Sequence, residues 1–107
     1  MNKYTELSDF EINKKVAEKL GLAYEVTRYG VVTRMSNKEQ WREFNPCNNP
    51  ADAMPIIIEN KIGLSPMYHS NKWTADCLDY DFISVNKNPL RAAMEVFLMM
   101  KDTENNQ

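Results

Sequence analysis

Histidine and cysteine are scarce in this chain, and that scarcity closes several lines of chemistry. His69 is the only histidine among 107 residues, and the only cysteines, Cys47 and Cys77, stand thirty positions apart. No CxxC or HxxxH spacing occurs, which leaves little basis for a zinc site. No glycine stands where an EF-hand loop requires one, so the acids Asp76, Asp79 and Asp81 read as a solvated hairpin tip rather than a cation site. The sequence offers no recognisable acid–base constellation for an enzyme, and no bound cofactor or metal is expected. A basic excess is also missing. Thirteen Lys and Arg face fifteen Asp and Glu, for a net charge of −2, which argues against a general nucleic-acid binder. Long apolar runs are absent too, so no membrane span is expected. Residues 1–8 are polar and mixed in charge, unlike a secretory signal, so the two cysteines are expected to be reduced.

What is present is an ordinary globular balance, 43% hydrophobic and 26% charged. The length suits a single domain over 1–107, with an ordered core at about 6–101 and a polar tail at 102–107. Local signals then divide the chain. Ser8-Asp9-Phe10-Glu11 is a capping box, with Leu7 and Ile12 placed for a hydrophobic staple. Ile12, Val16 and Leu20 share one face, and Gly21 stands where a left-handed terminator is wanted, which predicts a helix at 9–20. Residues 24–28 and 31–35 are rich in β-branched and aromatic side chains around Tyr29-Gly30 and predict a hairpin.

Asn45-Pro46-Cys47-Asn48-Asn49-Pro50 favours turns and caps, and Asn49-Pro50 suits the start of a helix. A second helix is expected from Pro50 to about Ile62, stopped by Gly63 and distorted by Pro55, which lacks an N–H for the carbonyl of Ala51. Residues 64–71 read as loop. Residues 72–77 and 81–85 read as a second hairpin, turning at Leu78-Asp79-Tyr80. Asn88-Pro89 repeats the Asn-Pro pair and opens a third helix to about Lys101. The fold class is therefore α+β, in the order α-ββ-α-ββ-α. Two hairpins form one antiparallel sheet of about four strands with three helices packed on it.

The blocks Leu7–Lys14, Phe44–Ile57 and Asn88–Met94 resemble the NinX-type proteins of lambdoid and related bacteriophages, small proteins of the accessory region between replication and late control. The element order is also similar to the phage domain called the α-β-α sandwich. The blocks cover somewhat under half the chain, and the central one is the most specific. The resemblance implies a phage or prophage source, hence the cytoplasm of a bacterial host, and a fold. It brings no established biochemical activity with it.

Candidate functional residues centre on the Asn45–Pro50 loop, where amides, a helix N-terminus and the Cys47 thiol come together. Asn45, Cys47, Asn48 and Asn49 could hold a small anion such as phosphate. The stronger reading is that they serve only as Asx turns and a helix cap. Trp41, Phe44 and Trp73 fall near loops or hairpin ends, where aromatic residues serve recognition as well as cores. Arg28, Arg34 and Arg42 flank the first hairpin, as a modest basic strip or a charged sheet edge. Catalysis by Cys47 would need a base nearby, and nothing places His69 there. The expected function is a non-enzymatic accessory protein binding a host or phage macromolecule, a protein in the first instance. The alternative is a nucleotide- or small-ligand-binding protein that uses the 45–50 loop. The third helix is apolar nearly all round, interrupted before Lys101 only by Arg91 and Glu95. One apolar stripe would be left over in a monomer this small, so a homodimer is expected, with Val96 and Met100 in its contact.

Overall fold

A computed structural model of the protein describes residues 2–79 and 81–105. Among these residues nine elements follow in order: helix α1 (Asp9–Leu20), strands β1 (Ala23–Thr27), β2 (Gly30–Arg34) and β3 (Arg42–Glu43), helix α2 (Pro50–Glu59), strands β4 (Ile62–Pro66), β5 (Trp73–Cys77) and β6 (Ile83–Asn86), and helix α3 (Pro89–Asn105). The α+β class with three helices stands. The single four-stranded sheet does not: the described strands form two three-stranded antiparallel sheets, ordered β1-β2-β3 and β4-β5-β6.

Helix α1 begins and ends as its sequence dictates. The Glu11 N–H donates to Ser8 Oγ at 3.1 Å and the Ser8 N–H donates to the Glu11 carboxylate at 3.2 Å, which completes the capping box. Gly21 adopts φ 73°, and the Gly21 and Leu22 N–H groups return to the carbonyls of Glu18 and Ala17. That is a Schellman ending, which a residue with a Cβ would strain. The first hairpin turns through Arg28 and Tyr29, with Thr27 opposite Gly30. Asn49 caps α2 by accepting from the Ala51 N–H at 3.0 Å, and the helix runs through Pro55.

Each sheet is a predicted hairpin with one strand added. β3, only two residues long, joins β2 at Val32 and Thr33. It is too short to show any periodicity. β4 joins β5 and occupies residues expected to end a helix and then to loop. Helix α2 stops at Asn60, not at Gly63, because Lys61 adopts φ 54° and turns the chain there. Gly63 instead lies inside β4 opposite Asp76, whose carboxylate fills the space a Cβ would need. The turn of the second hairpin falls partly outside the described residues, at Tyr80.

Helix α3 extends to Asn105 instead of stopping at Lys101 and is the centre of the molecule. It packs against β4, β5 and β6 on one side and against α1 and α2 on the others, while α1 carries β1 and β2. Residues 91–98 are all buried. Both apolar stripes of the helix are thus covered within one chain, which corrects the interface expected at Val96 and Met100. Val96 is fully buried and Met100 is 7% exposed, so both belong to the core of the single chain.

Candidate functional site

The Asn45–Pro50 segment folds as a knot of its own amides. Asn13, buried on α1, donates from Nδ2 to Asn45 Oδ1 at 2.8 Å and accepts the Cys47 N–H at 3.0 Å. Asn48 Nδ2 donates to Asn45 Oδ1 and to Asp9 Oδ2. The Asn45 N–H donates to the Asp52 carboxylate, and the N–H groups of Asn48 and Asn49 return to the Asn45 carbonyl. Asn49 Oδ1 and its carbonyl take the first N–H groups of α2. Most of the donors that would have held an anion are therefore occupied by the chain, and two carboxylates, Asp9 and Asp52, stand among them. The arrangement is that of Asx turns and a helix cap.

The second Asn-Pro helix start closes on the first. Asn88 Nδ2 donates to the Cys47 carbonyl at 2.6 Å and to Asn48 Oδ1 at 3.2 Å. Asn88 Oδ1 meanwhile accepts from the Leu90 and Arg91 N–H groups at the start of α3. The similar sequences that open α2 and α3 thus meet in space.

Beneath them lies a buried ionic network. Arg91, 6% exposed, donates from Nε to Glu95 Oε2 and from Nη1 to Asp9 Oδ1, both at 2.7 Å. Its Nη2 donates to the carbonyls of Tyr4 and Leu7. Glu95, 1% exposed, accepts from Ser84 Oγ at 2.5 Å and from Asn2 Nδ2 at 3.1 Å. Burial opposes the Arg91 charge, but the hydrogen bonds to Asp9 and Glu95 outweigh it and hold the guanidinium more firmly protonated than usual. The sequence carried one signal for this pair: two opposite charges at i, i+4 spacing inside an apolar helix.

Cys47 is buried over the same network. Burial first, then the neighbouring Asp9 charge, push its thiol up to about 12 against the opposing charge of Arg91, with Glu95 adding the least. A thiol so placed stays protonated near neutrality and is a poor nucleophile. His69 stands in the exposed β4–β5 loop against the Tyr68 ring.

Beside the knot an open cleft of about 240 Å³ separates the first turn of α1, the β1–β2 turn and the segment after β3. Phe10, Asp9 and Asn13 line it from α1, Arg28 and Tyr29 from the turn, and Glu43, Phe44, Asn45 and Asn48 from the third side. Phe44 is buried at its base, while Tyr29 is 88% exposed at its rim. The structure thus brings Phe44, Asn45 and Asn48 to one cleft. Cys47 lies beneath, and Asn49 is spent on its cap. Trp41 and Trp73 do not line the cleft. Trp41 is half-buried with the Arg34 guanidinium 4.3 Å from its ring centre, and Trp73 is half-buried in the other sheet. Of the basic strip only Arg28 reaches the cleft. Phe10, Tyr29 and Glu43 were not singled out from sequence, since only the packing of the hairpin turn against α1 groups them.

Among the described residues no group of three or more His, Cys, Asp or Glu is arranged to hold a metal ion. Among them, too, no helix is long and apolar enough to cross a membrane. No curated protein sequence matches the chain. Residues 3–101 match the family model described as Bacteriophage P22, NinX, which spans every helix and strand above up to Lys101. The chain belongs to the bacteriophage NinX family.

Proposed function

We propose that this phage accessory protein is a non-enzymatic binder of a host or phage protein, acting in the cytoplasm of the bacterial host through the cleft beside α1. One observation carries this reading. The cleft presents aromatic surface at an open rim, with Tyr29 88% exposed on a tight hairpin turn. Large aromatic side chains held on short turns are typical anchors of protein recognition. The chemistry-bearing groups nearby support binding over catalysis, because Arg91, Glu95 and Cys47 are buried in structural bonds. A small anionic ligand at the Asn45–Pro50 loop has less support, since most of its donors are taken and two carboxylates stand among them.

The test is capture from host lysate by the tagged chain beside its Tyr29→Ala variant. A discrete protein retained by the parent and lost with Tyr29→Ala, at unchanged circular dichroism, supports the cleft. Equal capture by both proteins removes the cleft from the interaction. No capture, together with a nucleotide that raises the melting temperature by several degrees, overturns protein binding in favour of the small-ligand alternative.

A further inference from the structure

Resting on that cleft as the binding site, we infer that its occupant is a cationic side chain, a guanidinium above all, presented by the partner protein. Most amide donors of the cleft are engaged internally: Asn13 Nδ2 and Asn48 Nδ2 on Asn45 Oδ1, and the Asn45 N–H on Asp52. Its charged acceptors keep open capacity. Glu43 is exposed and forms no ion pair among the described residues. The Asp9 side chain remains 44% exposed and accepts one hydrogen bond on each carboxylate oxygen, which leaves lone pairs free on both.

Aromatic surface completes the set, from Phe10 and Tyr29 at the rim to Phe44 below. Carboxylates beside aromatic faces favour a planar cation, which stacks on a ring and donates at its edge. A volume of about 240 Å³ admits one long side chain and not a folded element. Among the described residues Arg28 is the one cation lining the cleft, and its guanidinium lies 5.5 Å from the Tyr29 ring centre. That contact shows the ring face accepting the proposed chemistry. It also makes Arg28 a competitor, by charge and by position, for any incoming guanidinium.

The signs of three substitutions follow, and an anion site would reverse two of them. The probes are N-acetyl-arginine methylamide and N-acetyl-glutamate methylamide, titrated at low salt into the full chain and followed by amide chemical shifts. The arginine probe is expected to give saturable shifts around Phe10, Tyr29 and Glu43, and the glutamate probe none. Glu43→Gln should weaken arginine-probe binding about tenfold, the scale of one charge-assisted hydrogen bond. Arg28→Ala should tighten it several-fold, and Tyr29→Ala should weaken it. All three side chains are exposed, so each variant should keep the parent's dispersion.

A glutamate probe that binds as well as arginine, or no saturable arginine shift, overturns the inference. So does Glu43→Gln binding as the parent does, or Arg28→Ala binding more weakly. If the arginine probe fails while Tyr29→Ala still abolishes protein capture, the cleft remains the interface and only its occupant is wrong. If the arginine probe binds but capture does not depend on Tyr29, the site exists without the proposed function.

Discussion

Arg91 makes four hydrogen bonds to three parts of the chain: the segment before α1, the first turn of α1, and its own helix. A buried pair of this kind adds little over an apolar replacement of both partners, but it is expensive to break on one side only. Glu95→Ala should therefore cost about 3–5 kcal/mol by urea unfolding, because Arg91 is left buried with part of its charge uncompensated. Joint replacement by Arg91→Met and Glu95→Leu should cost much less than the two single changes summed. A loss below about 1 kcal/mol for Glu95→Ala would mean that water replaces the carboxylate. Cys47 gives a second residue-scale expectation. With the thiol buried and pushed up to about 12, a disulfide reagent at pH 8 should modify it only as fast as the chain unfolds. Rapid labelling under native conditions would show an open route to the loop.

At the scale of elements, the helix caps and the central helix behave differently. The Ser8 and Asn49 caps are local and partly exposed, so Ser8→Ala and Asn49→Ala should each cost about 1 kcal/mol in thermal or urea unfolding. If Asn49→Ala leaves stability unchanged while binding disappears, Asn49 is more than a cap. Helix α3 has no exposed apolar stripe between residues 91 and 98. Val96→Glu should accordingly unfold the protein, with loss of far-UV circular dichroism, since a buried unpaired carboxylate costs several kcal/mol (roughly 3 or more). A folded monomer produced by Val96→Glu from a dimeric parent would restore the stripe as an interface.

Over the whole molecule, the two ends of the chain are tied by charge. Tyr4, 4% exposed, donates its hydroxyl to Asp102 near the end of α3, and Lys3 and Lys19 approach the same carboxylate at 3.1 and 3.7 Å. Burial favours the neutral acid, but the Tyr4 hydrogen bond and the two lysines prevail and hold Asp102 below its ordinary 3.8. A carboxyl lowered on folding adds stability that is present above its unfolded value and lost as pH falls through its folded one. Asp102→Asn should thus be less stable than the parent near neutrality, and the difference should close below pH 3.8. A difference that persists at the acidic end would trace the loss to packing, not charge. The features legible in the sequence are those decided within a few residues: the capping box at Ser8, the glycine ending at Gly21, the first hairpin, though its turn falls one residue earlier than expected, at Arg28-Tyr29, and the Asn-Pro pairs that open α2 and α3. Their hydrogen bonds close locally, so their residue types suffice. Ile62 and Leu64 alternate with Gly63 and Ser65 as a strand should, but a glycine after a helix reads equally well as its stop. Lys61, by turning first, settled which. The division into two sheets, the burial of Arg91 and Glu95, the covering of both faces of α3, and the cleft of Phe10, Tyr29 and Glu43 depended on what lies opposite each residue across the core. Sequence spacing constrains the face a side chain occupies, but only the packed chain determines what that face meets.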